Sequence, residues 1–207
     1  MELDKVLGIL LDTSTGTRLG EVQKLYSRLD REQKDFSSLL GIGCNQGCGT
    51  CCENYFPDIT NAEAEYMAMG ILLQGNEKEV LEKLHSIKDR RSCPLYIKDR
   101  PYHCSVYSVR PLICRLFGNS VTKDKNDRPV FRDCRWKENP RIISAEELER
   151  LHDRLVIMEN YGIQLEEIQP EDNATYPLDE ALERAIYKIK FLLQLDDDNP
   201  EPEPNAS

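Results

Sequence analysis

The chain lacks any apolar run near the eighteen or so residues needed to cross a bilayer. Its longest early run, Val6 to Leu11, is flanked by acidic residues, so the reading includes neither a membrane helix nor a secretion signal, and the expected location is the cytoplasm. Catalytic signatures are equally sparse. There is no Gly-x-Ser-x-Gly, no phosphate-binding glycine loop and no His-Glu-x-x-His, which leaves the common hydrolytic, nucleotide-binding and zinc-protease chemistries without a motif. The three histidines, at 85, 103 and 152, are scattered, and the single tryptophan is Trp136. At 207 residues there is room for one domain with helical additions but little for a second catalytic one. A composition of 40% hydrophobic and 31% charged residues excludes disorder throughout.

No cysteine lies outside a 91-residue window, yet eight lie inside it, at 44, 48, 51, 52, 93, 104, 114 and 134. In a reducing compartment thiols stay unpaired unless something binds them, which argues against four disulfides. The tight spacing of Cys44, Cys48, Cys51 and Cys52 also argues against eight unrelated core residues. Metal ligation by all eight, adding Cys93, Cys104, Cys114 and Cys134, is the reading that remains. Glycines at 41, 43, 47 and 49 allow the backbone to wrap closely enough for several sulfurs to converge. Adjacent side chains diverge, so Cys51 and Cys52 seldom serve one tetrahedral ion together, and the adjacency favours an iron–sulfur cluster over zinc. Two zinc sites of four cysteines each, one four-iron cluster with ligands left over, and a cluster plus zinc all fit the count.

The net charge of −10 conceals a basic middle, because residues 86–137 carry 13 Lys and Arg against 5 Asp and Glu. Thiolates are anionic, and this stretch offers compensating charge. Arg110 and Arg115, on either side of Cys114, are the expected donors toward the bound group. His103 beside Cys104 is a candidate proton carrier or alternative ligand, and Trp136 a candidate cover for the core. A nucleic-acid surface is a less economical account of the same charge.

The expected fold is mainly α, with a small irregular or short-β cysteine-rich core enclosed by helices. Residues 1–40 supply an N-terminal amphipathic helix from about Thr17, and residues 41–136 the metal-binding domain. Residues 137–195 supply C-terminal helices, and 196–207 an acidic tail expected to be disordered. Thr60 and Glu63 have capping-box spacing and predict a helix to about Gln74, followed by another to about Arg90. Ser144 and Glu147 repeat that spacing ahead of Leu148, Leu151, Leu155 and Met158 on one predicted stripe, and a last helix starts near Pro177.

In order along the chain, Cys44 to Cys52, Cys93-Pro94-Leu95, Cys104-Ser105-Val106-Tyr107, the run from Arg110-Pro111 through Cys114-Arg115 to Phe117, and Cys134 resemble the cysteine-cluster family of zinc- or iron-chelating proteins. The resemblance covers about residues 41–136. It implies binding of zinc or an iron–sulfur cluster in a bacterial or archaeal cytoplasmic protein. Redox or electron transfer is the expected role where the site is open or redox-active. A structural zinc module that binds a protein partner is one alternative. Another is an S-adenosylmethionine-dependent enzyme, because Cys44-x3-Cys48-x2-Cys51 also resembles the radical-enzyme triad and flagellin lysine methylases carry a similar cysteine region. Thr50 stands where the radical enzymes commonly have an aromatic residue, and no alternating strand and helix pattern follows.

Overall fold

The computed structural model describes residue 10 and residues 13–44, 48–98 and 103–197. The acidic tail lies outside them from Asp198 onward, and the two residues before it continue the last helix.

Helix α1 spans Ser14–Leu40 and starts a turn earlier than its apolar pattern suggests, because the Thr13 hydroxyl caps it by accepting the Gly16 N–H at 3.0 Å. Leu19, Val22, Tyr26, Leu29, Phe36 and Leu40 form its buried stripe. A short helix, α2 (Thr50–Asn54), and strand β1 (Asp58–Thr60) lead into α3 (Asn61–Gln74). The capping box forms as expected, with Glu63 N–H donating to the Thr60 hydroxyl at 3.2 Å and Thr60 N–H to the Glu63 carboxylate at 2.8 Å. Every residue from Ala62 to Gly70 is buried, so α3 is the central helix.

Helix α4 (Glu77–His85) ends before the expected Arg90. The Ser86 N–H bonds back to the Glu82 and Lys83 carbonyls, closing the last turn, and Arg90 reaches away to Asp179 at 3.0 Å and Glu180 at 2.5 Å. The cysteine-rich stretch then runs through a 3-10 turn at Tyr107–Val109, helix α5 (Leu112–Leu116), and an antiparallel hairpin of β2 (Val121–Lys123) and β3 (Pro129–Phe131). The single apolar stripe expected after Ser144 is broken in two: α6 covers Ala145–Arg150 and α7 covers Met158–Ile168. Between them the chain turns extended, because the Val156 carbonyl accepts the Val121 N–H at 2.8 Å and Ile157 bridges in parallel to Val121. Strand β4 (Thr175–Pro177) and helix α8 (Leu178–Asp197) complete the described chain.

Pairing of β1 with β4 sets Ile59 opposite Tyr176 and so starts α3 and α8 side by side. The apolar core lies between α1, α3 and α8, where Leu29, Met67, Ile71, Leu182, Ile186 and Ile189 are buried. One buried carboxylate ties the three helices together: Glu65 accepts Arg18 Nε at 3.2 Å and Lys188 Nζ at 2.5 Å. The cysteine-rich stretch is pressed onto this scaffold at Gly70, where a Cβ would stand 2.4 Å from Val109 Cγ1. Among the described residues the fold is mainly helical, with two small two-stranded sheets.

Candidate metal centre

Backbone pairing brings the sequence-distant cysteines together. Cys51 and Cys52 lie on α2, and the Cys52 carbonyl accepts the Cys93 N–H at 2.8 Å. The Ile97 N–H donates to the His103 carbonyl at 2.9 Å and the Ser105 N–H to the Leu95 carbonyl at 3.0 Å, which folds Cys104 back beside the segment that carries Cys93. Cys114 occupies the middle of α5. Cys44 and Cys48 are exposed on the connection between α1 and α2, while Cys134 is buried after β3. All eight are unpaired thiols.

All of them except Cys134 line one open cavity of about 240 Å³, together with Arg110, Phe117 and Met67 among others. Among the described residues no three Cys, His, Asp or Glu side chains close tightly enough to hold a single ion. A tetrahedral zinc ion, with Zn–S bonds of about 2.3 Å, needs sulfurs about 3.8 Å apart. The thiols therefore encircle a space instead of meeting at a point.

Two contacts hold the walls. The Glu63 carboxylate, 4% exposed, accepts the Tyr26 hydroxyl at 2.9 Å and the Leu112 N–H at 2.7 Å besides both Thr60 donors. It thereby fixes the start of α5 and the placement of Cys114. Gly49 touches His103, where an added Cβ would sit 2.5 Å from the His103 Cβ. His103 adopts φ 48°, and its Nδ1 lies 2.9 Å from the Ile97 carbonyl. It packs between the two cysteine loops and is absent from the cavity lining.

The two arginines flanking Cys114 are placed differently. Arg115 is 3% exposed, and most of its donors are engaged: Nη1 with Asp30 at 2.7 and 2.8 Å, Nη2 with the Ser108 carbonyl at 2.7 Å and Nε with the Arg110 carbonyl at 2.9 Å. Its guanidinium also stacks over Tyr26 at 4.3 Å. Arg110 lies over the Tyr107 ring at 4.0 Å, donates to the Tyr107 carbonyl at 2.9 Å and has no carboxylate partner among the described residues. Its positive charge faces the thiols and favours the thiolate forms of Cys51 and Cys104. Trp136 stacks on the cavity-lining Phe117 with ring centroids 5.7 Å apart.

The ring of thiols by itself resists charging. Burial pushes the Cys93 thiol up to about 12, aided by the neighbouring Cys104 and Cys51 charges. Burial, and then the surrounding sulfurs, also raises Cys114, and burial raises Cys104. The adjacent pair divides one proton: a hydrogen bond from the Cys52 thiol lowers Cys51 to about 6, and the same contact raises Cys52. A cation that replaces these protons removes the repulsion, so the donor set suits a thiophilic metal.

This arrangement of thiols across residues 44–134 agrees with the family comparison. Residues 43–135 match the CxxCxxCC family, described as "Putative zinc- or iron-chelating domain". No curated protein and no solved structure matches the chain. The matched residues take in every cysteine, from Cys44 ahead of α2 to Cys134 after β3, and the metal class that the family description gives is zinc or iron. The helices α1, α3 and α8 form the main scaffold, and most of that scaffold lies outside the matched residues. Glu63, which the sequence marks only as a capping residue, is the wall contact that sequence reasoning missed. Its spacing from Thr60 is legible, but its bonds to Tyr26 and Leu112 depend on tertiary packing.

Proposed function

We propose that the CxxCxxCC domain holds an iron–sulfur cluster and serves in redox or electron transfer. The observation that carries this reading is the cavity: seven thiols surround about 240 Å³, while no trio among the described residues closes on one point. A four-iron cluster takes one thiolate per iron and spreads its ligands more widely than a single tetrahedral ion does. Cys51, Cys93, Cys104 and Cys114 are the assigned ligands.

The remaining inner thiol, Cys52, keeps its proton and donates toward Cys51, a hydrogen bond to sulfur of the kind that tunes a cluster's potential. Arg110 offsets the accumulated negative charge. Phe117 and the Trp136 stacked on it shield one side of the cavity from water. A cluster held there supplies one-electron chemistry, and the open mouth leaves it close to the surface where a partner can exchange electrons. Eight unpaired thiols suit a reducing, cytoplasmic setting.

Oxygen-free protein reduced with dithionite should bleach in the visible and develop an electron-paramagnetic signal of a reduced cluster. Both changes should vanish in Cys104→Ala. Protein that stays colourless and silent while holding stoichiometric zinc contradicts the proposal.

A further inference from the structure

We infer that the surface around Trp136, between the β2–β3 hairpin and the mouth of the cysteine cavity, docks an acidic protein partner with which the bound cluster exchanges electrons. The exchange of electrons rests on the proposed function, whereas the docking face rests on the placement of charge and aromatic rings.

Phe117 belongs to two places at once. It lines the cysteine cavity and also an open groove of about 220 Å³ on the hairpin side, whose other walls include Thr122, Arg132, Arg135 and Met158. Trp136 stacks on Phe117, and the Arg135 guanidinium lies over the Trp136 ring at 4.4 Å. A partner seated here is parted from the cavity by the Phe117 and Trp136 rings. Electron exchange weakens steeply with distance, so this face offers a short route. A second arginine–aromatic pair, Arg110 over the 40% exposed Tyr107, stands at the cavity mouth. Trp, Tyr and Arg are the residue types that anchor protein interfaces.

Charge decides the kind of partner. Arg132 and Arg135 are exposed, and neither has a carboxylate partner among the described residues. One carboxylate, Asp133, lines the same groove, but its side chain is 2% exposed and its oxygens are taken by the Cys134 N–H at 2.7 Å, the Arg141 N–H at 2.8 Å and Lys137 Nζ at 2.6 Å. The acids of the hairpin turn are matched as well: Asp124 accepts the Asn126 and Arg128 N–H groups, and Asp127 pairs with Lys123. From Asp124 to Glu138, the exposed Glu138 alone among the acids has no donor within the described residues. The face therefore presents positive charge, while the chain as a whole is acidic at −10. An acidic partner is repelled by most of the molecule and attracted here, which sets its orientation. Nucleic-acid binding, by contrast, spreads a stripe of Lys and Arg along a basic domain.

The partner is a protein that carries its own one-electron centre close beneath a group of Asp and Glu side chains. One electron leaves the reduced cluster for that centre, so the cluster is oxidised by one electron as the partner is reduced by one, and no bond is made or broken. The reverse transfer uses the same contact. Redox encounters are small and transient, below about 1,200 Å², which suits a face of a few arginines and rings.

Two measurements on the full chain, purified without oxygen, test docking and exchange separately. Trp136 is the single tryptophan, so its emission reports on this face. At low salt a decaglutamate peptide should change that emission saturably, and the effect should vanish at about 1 M salt and in Arg132→Glu. Emission that the peptide leaves unchanged in the wild type overturns the inference, and so does tighter binding of a deca-adenylate oligonucleotide, which assigns the face to nucleic acid. In the second measurement the dithionite-reduced protein is oxidised by ferricyanide, an anion, and by hexaamminecobalt(III), a cation. Net charge alone predicts that salt speeds the ferricyanide reaction, whereas a positive exit face predicts that salt slows it. Salt should slow it, and the double variant Arg132→Glu with Arg135→Glu should lower the low-salt rate about tenfold, without a fall in the cobalt rate or in iron and sulfide content. Ferricyanide oxidation that salt accelerates, or an equal loss with both oxidants, overturns exchange at this face. Colourless zinc protein that still binds the peptide through Arg132 supports the acidic-partner face and overturns the cluster and its electron transfer alone.

Discussion

Arg110 and Arg115 have the same side chain and lie five positions apart, but their surroundings give them opposite duties. The Arg115 side chain is 2% exposed and bound by Asp30 and two carbonyls, so Arg115→Met leaves buried acceptors without donors and should cost about 2–4 kcal/mol in denaturant unfolding. Arg110 faces the thiols and should contribute little to stability. The Cys52 hydrogen bond chiefly holds Cys51 down at about 6 and the Arg110 charge adds to it, so Arg110→Ala should move the pH midpoint of iodoacetamide labelling at Cys51 slightly upward in the metal-free protein. An unchanged midpoint would place the guanidinium elsewhere. Glu63→Gln keeps the shape of the side chain but replaces an acceptor oxygen with an amide NH₂ that faces donors. A loss of about 2 kcal/mol is expected, together with reduced metal content, since the Leu112 N–H that holds α5 loses its partner.

Among the elements, α3 decides where the cysteine stretch lies. Gly70→Ala puts a methyl 2.4 Å from Val109 Cγ1, so the 3-10 turn before α5 must move. Overpacking of this kind costs about 1–3 kcal/mol, and Val109→Ala in the same chain should recover part of it. Thermal unfolding of the single and double variants checks the pairing. Contacts like this one explain what could and could not be read ahead. The stripe from Leu19 to Leu40, the Thr60–Glu63 box and the start of the last helix depend on neighbours in sequence, and each appears as expected. The break between α6 and α7 depends on the Val156 carbonyl meeting Val121, 35 positions away, and nothing local announces it. The cysteine elements likewise reveal their chemistry by type and spacing. Their convergence around one cavity depends on the Cys52–Cys93 and Leu95–Ser105 backbone bonds, which no periodicity encodes.

At the scale of the whole molecule, the scaffold and the metal domain are stabilised by different means. The core between α1, α3 and α8 is apolar and needs no metal, unlike a small zinc finger. Removal of metal should therefore leave most helical circular dichroism intact while hydrogen exchange speeds up in the cysteine-bearing segments outside α3. Proton linkage gives that domain a defined pH dependence. Cys93 rises from its ordinary 9.0 to about 12 on folding. In the metal-free protein its contribution to stability is present below about pH 9 and is lost as pH climbs toward 12. Metal reverses the preference, because ligation requires the thiolate: uptake at neutral pH should release protons from Cys93, Cys104 and Cys114, and apparent affinity should increase with pH. Indicator-dye titration during metal addition measures that release directly.

The cluster itself is tested most directly by counting iron, zinc and acid-labile sulfide per chain in protein purified without oxygen. The account predicts iron and sulfide in equal amounts, about four of each per chain as a four-iron cluster requires, in brown protein. Zinc without sulfide in colourless protein would contradict it.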